Sequence, residues 1–188
     1  MNYRNDHQLE YVKHAESLTT KDEPVFDLIG LIATRNQIHP HWWLYNAKMK
    51  NYYTGKLTYV ADMIKQKWPP VIITNYRWPW LRKEDLKTLS EHYVRLHDQF
   101  WVLGRTTKQK TGSFIIQRPG NYYLFSESKK LKISGLNFQN NTALLKTGKY
   151  EFTSNNTAFT IFWLGEKLSE PPNFVHHLNG PWMITPRN

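Results

Sequence analysis

The chain has 188 residues, 40% of them hydrophobic, which is enough for one ordinary domain or for a domain with a small additional module. It has no cysteine, so disulfides, thiol chemistry and cysteine-based zinc sites are excluded, and no apolar run approaches the ~20 residues that cross a bilayer. The formal net charge of +10 favours an anionic partner, but a solvated surface with scattered lysine and arginine explains the same excess equally well.

The first part of the chain begins with a helix and a strand. Apolar side chains at helical spacing predict a helix over residues 6–18. Residues 24–32 then predict a first strand, with Asp27 and Gly30 towards its carboxyl end. Open α/β sheets bind ligands at such ends. Because no glycine-rich phosphate motif is present, a strand end followed by a turn is the more ordinary interpretation of these two residues.

The stretch that begins at Leu57 has the pattern of helix, strand, helix and strand. Apolar residues at i, i+3, i+4 and i+7 predict a first helix that Pro69 ends. The apolar run of residues 71–74 predicts a strand that is buried on both faces. A second amphipathic helix is predicted to continue through Leu96, followed by a strand over residues 100–103. Strand, helix and strand at this spacing predict a parallel βαβ unit.

After residue 104 the helical period disappears. A polar, basic linker is followed by short β-rich runs, each bounded by turn-forming residues. These runs lie at residues 113–117, 122–125, 131–133, 142–145, 149–152 and 158–163. We therefore predict an α/β domain over residues 1–106, a small three-layer Rossmann-like unit with a mostly parallel sheet. An all-β, sandwich-like module with an extended C-terminal tail is predicted over residues 107–188.

A faint repeat lies within the predicted β-module. The segment from Ile115 to Tyr122 resembles the segment from Leu144 to Tyr150, and Gly-x-Tyr opens the returning strand in each. Glycine supplies the positive φ that tight connections require. The repeat predicts two hairpins of one kind.

The sequence carries no familiar catalytic motif. It lacks a nucleophile elbow, a phosphate loop and a zinc-protease helix, and no pair of carboxylates lies in an apolar setting. Glu84, Asp85 and Glu91 are assigned to the solvent side or the first turn of a helix. His39 and His41 could supply two metal ligands, but no nearby carboxylate completes a site, which favours a structural or substrate-contacting role. We therefore predict no catalytic residue, no cofactor and no metal.

Tryptophan and tyrosine are concentrated between residues 42 and 80. Such residues fill cores, stack on sugar rings, or lie at a membrane interface with one edge in water. Arg77 lies among them and favours a surface for a glycan, a lipid phosphate or a headgroup. The predicted contact residues are His39, His41, Trp42, Trp43, Arg77, Trp78 and Trp80.

Four short phrases occur in a suggestive order between residues 6 and 104. They are Asp22–Asp27, Tyr52–Gly55, Trp68–Ile73 and His92–Tyr93. This order resembles the soluble extracytoplasmic region of bacterial membrane glycosyltransferases of the GT-C type, which are related to dolichyl-phosphate-mannose protein mannosyltransferases. The β-module resembles no family and would be an appended accessory domain.

The resemblance implies a parent enzyme that transfers a sugar from a polyprenyl-phosphate donor outside the cytoplasm, with its catalytic acid in a membrane region that this chain lacks. The chain would then be a non-catalytic domain at the periplasmic face of the inner membrane that assists acceptor or donor binding. Its implied partners are the transmembrane part of the enzyme, a glycan or polyprenyl-phosphate-linked sugar, and an anionic membrane surface.

Two other functions compete with this one. The chain could be a stand-alone carbohydrate-binding protein whose β-module binds the sugar. It could also bind nucleic acid through its charge, in which case affinity would fall steeply with salt. We rank nucleic acid last, because the basic residues form no stripe along one helix.

Overall fold

The computed structural model describes residues 6–39, 46–75, 78–126, 133–134, 136–155, 158–166 and 168. Its helices are α1 Asp6–Leu18, α2 Asn46–Tyr53, α3 Val60–Lys67 and α4 Lys83–His92, with a 3-10 turn at Trp78–Trp80. Its strands are β1 Val25–Asp27, β2 Val71–Ile73, β3 Tyr93–His97, β4 Phe100–Thr107, β5 Thr111–Ile116, β6 Gly120–Phe125, β7 Ile133–Ser134, β8 Thr142–Leu145, β9 Gly148–Ser154 and β10 Phe159–Gly165. The predicted helix over residues 6–18 is confirmed.

A seven-stranded sheet is built around β4. Its order is β1-β2-β4-β10-β6-β8, and β3 also pairs with β4. Val102 of β4 pairs with Val71 of β2 and with Val94 of β3, so these two strands flank the first half of β4. The second half of β4 pairs with β10. A second sheet has the order β5-β9-β7.

The prediction of a Rossmann-like domain with a mostly parallel sheet is wrong. Among the described strands, β1 and β2 form the single parallel pair of strands, and all other strand pairs are antiparallel. Val25 of β1 also forms an isolated parallel bridge with Gln37. The fold is mixed α/β with a mostly antiparallel sheet. It is richer in strands than a Rossmann fold.

The error comes from the segment between Tyr93 and Leu103. Tyr93 and Leu96, predicted in a helix, belong to β3, which forms a hairpin with β4. The hairpin reverses the chain, so β4 pairs with β2 in the antiparallel direction. β3 has the same direction as β2, but it lies on the other side of β4 and does not pair with β2. Helix α4 still connects two strands of one direction, but β4 lies between them.

The β-rich runs of the second half are confirmed as β5, β6, β8, β9 and β10, while the predicted hairpins are wrong. β5 and β6 belong to different sheets, and so do β8 and β9. Each repeat is therefore an arch that crosses between the sheets. The two arches interlock, because Ile116 pairs with Gly148 and Gly120 pairs with Leu145. The two sheets also contact each other through Phe152 of β9 and Phe159 of β10, whose ring centroids are 5.1 Å apart.

The Gly-x-Tyr phrase closes both arches in the same way. The Tyr122 hydroxyl donates to the carbonyl of Arg118 at 2.8 Å, and the Tyr150 hydroxyl donates to the carbonyl of Lys146 at 3.1 Å. In each case the acceptor lies four residues upstream. A tyrosine that bonds back to the backbone at a corner is a known feature of β-sandwiches. Tyr122 is almost fully buried, and this burial raises the pKa of its hydroxyl.

We expect the two tyrosines to differ in their effect on stability. Tyr122→Phe should lower the free energy of unfolding by about 1 kcal/mol, because it removes a partly buried hydrogen bond and leaves the Arg118 carbonyl without its donor. Tyr150→Phe should cost about half as much, since water reaches that hydroxyl. Urea denaturation of both variants measures the difference. Equal stability of Tyr122→Phe and the native chain would contradict this account of the arch.

The two halves of the chain share one sheet. The division into residues 1–106 and 107–188 stays a prediction, and β4 crosses its boundary. A salt bridge of 3.0 Å between Glu23 and Arg118 also joins the turn after α1 to the first arch. Among the described residues, no helix has the length and apolar character needed to cross a bilayer.

Candidate functional site

Seven residues were predicted to contact a ligand, and the structure describes three of them. His41, Trp42, Trp43 and Arg77 lie outside the described residues. His39, Trp78 and Trp80 lie in three different settings, one buried, one half-buried and one exposed.

His39 lies in the interior. Its side chain is 5% exposed, and its Nε2 is 3.1 Å from the carbonyl oxygen of Asp27. Its ring meets the ring of Phe26 edge-on, with centroids 4.6 Å apart. These contacts hold the loop after β1 against the sheet, and the contact of His39 with a ligand stays a prediction.

The carboxylate of Asp27 folds the same loop. Its Oδ1 accepts from the backbone amides of Ile29 and Gly30, both at 2.9 Å, and its Oδ2 accepts from the amide of Ile32 at 2.7 Å. Both oxygens are therefore used by the backbone. The carboxyl end of β1 forms a closed turn, in keeping with the ordinary interpretation of Asp27 and Gly30.

Trp78 lies half-buried on the 3-10 turn. Its ring is tilted against that of Trp101, with centroids 6.3 Å apart, and the guanidinium of Arg95 lies 5.9 Å from the Trp101 ring. Among the described residues the buried Nε1 of Trp101 has no hydrogen-bond partner. Trp78 thus packs inward and supports the turn that carries Trp80.

Trp80 forms an exposed aromatic surface with Tyr53. The two residues are 44% and 55% exposed, and the Tyr53 hydroxyl donates to the carbonyl oxygen of Trp80. Tyr59 and Arg82 continue this surface, since the Tyr52 ring contacts both Tyr53 and Tyr59 at centroid distances of 5.4 and 5.7 Å. We call Tyr53, Tyr59, Trp80 and Arg82 the Trp80 surface.

A buried carboxylate, Asp85, holds this surface together from below. Its Oδ1 accepts from the backbone amide of Ala61 at 2.6 Å, in the first turn of α3. Its Oδ2 accepts from the Tyr52 hydroxyl and from Arg82 Nε, the latter at 3.1 Å. Burial raises the pKa of the Tyr52 hydroxyl, and the hydrogen bond to Asp85 raises it further. Helices α2, α3 and α4 are thereby tied to one carboxylate.

Asp85 lies in the first turn of α4, one of the two positions predicted for it, but it does not face solvent, the other predicted position. It is fully buried, on the face of α4 that also carries Thr88 and Leu89. The exposed neighbour in the first turn is Glu84.

Arg82 is held in a fixed orientation. Its Nε bonds to Asp85, and its guanidinium carbon lies 3.2 Å from the centroid of the Tyr59 ring. A guanidinium that stacks on an aromatic face keeps its plane, and the remaining N–H groups point along that plane. Its side chain is 26% exposed, so water and ligands can reach it.

A cleft lies beside the end of α4. Glu91, His92 and Arg105 line it above the apolar side chains of Phe114 and Ile161. Burial lowers the pKa of the His92 imidazole. The enclosed space is on the scale of a single water molecule, which is too small for a sugar ring. Within the part of the chain that the structure describes, no group of three or more histidine and carboxylate side chains could hold a metal ion.

Three residues of this site were not among the predicted contact residues: Tyr59, Arg82 and Asp85. Tyr52 and Tyr53 lay in the aromatic stretch but were not selected as contact residues. A usable signal existed, since Arg82 and Asp85 are three residues apart at the start of a helix, a spacing at which opposite charges meet.

No family model, no curated protein and no solved structure matches the chain. The geometry of the described residues is therefore the basis for assigning a function.

Proposed function

We propose that the chain is a non-catalytic glycan-binding domain that contacts sugar through the Trp80 surface. The observation that carries this proposal is a pair of exposed aromatic side chains, Tyr53 and Trp80. The Tyr53 hydroxyl donates to the backbone carbonyl of Trp80, and the buried network around Asp85 holds the neighbouring residues Tyr52 and Arg82. Flat aromatic faces suit the C–H faces of sugar rings, and amphipathic rings also tolerate a wet edge.

The rigidity of the surface supports this function. An exposed tryptophan on a flexible loop must lose conformational freedom when it binds, which weakens the complex. Here the carbonyl of Trp80 is bonded to Tyr53, the next residues Leu81 and Arg82 are anchored, and Leu81 is buried. Little ordering remains to be done on binding, so a shallow site can still have useful affinity.

The buried carboxylates support a non-catalytic role. A general acid or base needs a carboxyl oxygen within hydrogen-bond reach of the substrate. The oxygens of Asp27 accept from three backbone amides, and those of Asp85 accept from Ala61, Tyr52 and Arg82. Both groups are engaged in holding the fold.

We further propose that this domain is the extracytoplasmic part of a membrane glycosyltransferase that uses a polyprenyl-phosphate sugar donor, where it assists acceptor or donor binding at the periplasmic face. The resemblance over residues 6–104 supports this context. We expect the reading frame to continue upstream of Met1 and to encode several hydrophobic segments. A genuine start codon at Met1 would favour the stand-alone carbohydrate-binding protein instead.

Trp80→Ala should abolish most of the sugar affinity while the fold is kept. We expect at least a tenfold loss on a glycan array followed by titration calorimetry, about 1.4 kcal/mol, because a central aromatic contact dominates a small site. The free energy of unfolding should fall by about 1–2 kcal/mol, because the side chain is 44% exposed and the rest of it is buried, so urea denaturation checks that the variant remains folded.

Leu144→Ala is the matched control, because Leu144 is 77% exposed and lies on β8, in the other half of the chain. It should bind like the native chain. If Trp80→Ala keeps full affinity and Leu144→Ala loses it, the β-module binds the sugar and the Trp80 surface does not.

A further inference from the structure

We infer that the glycan bound at the Trp80 surface is anionic, carrying a carboxylate or a phosphate that Arg82 binds. This inference rests on the proposed function and adds the chemical class of the ligand. Its basis is the geometry of one guanidinium and the charges around it.

Arg82 is a pre-oriented anion donor. Asp85 accepts from its Nε, the Tyr59 ring holds its plane, and the Tyr52 hydroxyl also interacts with the guanidinium, so the group is held from several sides. Carboxylate and phosphate groups accept two parallel N–H bonds from such a fork. Because the side chain is already fixed, little further rotamer freedom is lost when an anion binds.

The surroundings of Arg82 are positive. Residues 46–75 and 78–85 contain seven lysine and arginine residues and three acids, Asp62, Glu84 and the buried Asp85. Lys50 lies three residues before Tyr53 on α2, where the two side chains are neighbours on the helix surface. Lys83 follows Arg82, and Lys56 follows the end of α2.

These three lysines are available to a ligand. Lys50, Lys56 and Lys83 are exposed, and none of them forms a salt bridge with a residue that the structure describes. Asp85 neutralises Arg82, so the lysines supply the net positive field around the surface. That field attracts an anion and weakens at higher ionic strength.

An acidic glycan fits this surface better than single-stranded nucleic acid. Nucleic acid needs a basic groove with aromatic rings spaced for successive bases. Here two exposed rings, Tyr53 and Trp80, lie on residues joined by one hydrogen bond, and the arginine stacks on the nearby Tyr59 ring. A single charged sugar could place its ring on one aromatic face and its acidic group against the guanidinium of Arg82.

The test uses the native chain on an array that carries acidic oligosaccharides, with uronic-acid, sialic-acid or phosphate groups, each beside its neutral counterpart. We expect at least tenfold tighter binding of one acidic member than of its neutral counterpart at about 50 mM salt. The preference should shrink as salt is raised. Preference for uronic or sialic acid identifies a carboxylate, and preference for the phosphorylated member identifies a phosphate.

Two test variants and one control show which residues cause the preference for acidic sugars. Lys56→Gln with Lys83→Gln should reduce it several-fold at unchanged thermal stability, because both side chains are exposed. Arg82→Lys keeps the positive charge but removes the two parallel N–H donors of the guanidinium. This variant should lose most of the preference for acidic sugars while neutral sugars still bind. Lys110→Gln with Lys149→Gln, on exposed sites of the β-module, should leave the preference unchanged.

The outcomes separate the two proposals. Equal, Trp80-dependent affinity for acidic and neutral members would overturn the anionic ligand and keep the glycan-binding function. Binding to no glycan would overturn both. Trp80-dependent binding of an oligothymidylate in place of every glycan would assign the surface to nucleic acid.

Discussion

Replacing Gly104 by alanine is expected to lower the free energy of unfolding by about 3 kcal/mol or more. A Cβ at this position would lie 2.4 Å from the carbonyl oxygen of Ile161 and 2.7 Å from the Cα of Phe162. Both neighbours are backbone atoms of β10, so no side chain can move aside. The strands must separate where β4 joins the two halves of the sheet.

Urea denaturation of Gly104→Ala measures this cost, with Arg105→Ala as the control. Arg105 follows Gly104 on the same strand and is exposed, so its replacement should change stability by less than about 0.5 kcal/mol. If both variants unfold at the native urea concentration, the close approach of β4 and β10 is not part of the folded protein.

Asp85→Ala is expected to cost about 3 kcal/mol. The substitution removes the acceptor of a buried backbone amide, Ala61, and of the buried Tyr52 hydroxyl. It also leaves Arg82 without its partner, although this side chain is 26% exposed and can turn to water, which limits that part of the cost. Both stability and sugar affinity should fall, because the same network holds the Trp80 surface.

Glu84→Ala is the control for Asp85→Ala. The two acids are adjacent in the first turn of α4, but Glu84 is exposed. Its loss should reduce stability by less than about 1 kcal/mol, through the helix dipole alone. A glycan titration in parallel should show native affinity for Glu84→Ala. Native stability of Asp85→Ala would contradict the role assigned to the buried network.

Elements that are determined within one segment were predictable. The helix over residues 6–18 and the strand over residues 142–145 were predicted at the bounds they have, because their apolar spacing lies within the element itself. The partners of a strand are set by distant residues. For that reason the repeated Gly-x-Tyr phrase predicted two similar connections between strands. It could not predict that each connection joins strands of two different sheets.

The fold class failed at a single short segment. Tyr93 and Leu96 continue the helical spacing of Leu86 and Leu89, so the period alone extends the helix. The structure ends α4 at His92, and the Tyr93 hydroxyl donates to the Pro69 carbonyl at 2.9 Å in a buried position. This tertiary contact, 24 residues away along the chain, accompanies the change from helix to strand.

The candidate site was predictable in part. The concentration of aromatic residues between residues 42 and 80 placed Trp80 among the predicted contact residues. Its side chain is one of the few large hydrophobic side chains that are exposed among the described residues. The contribution of Tyr53 depends on its bond to Trp80, 27 residues later, and that of Asp85 depends on contacts with α2 and α3. A pattern within one segment of the sequence cannot predict contacts between residues that are more than twenty positions apart.

The most direct test of the glycan-binding claim is an NMR titration of the eight tryptophan indole N–H groups with the glycan selected on the array. We expect the Trp80 resonance to shift most, with small changes at Trp78 beside it. The fully buried Trp163 should stay unchanged. Shifts confined to Trp163 and to amides of β5 to β10, with Trp80 unmoved, would contradict the assignment of the sugar site to the Trp80 surface.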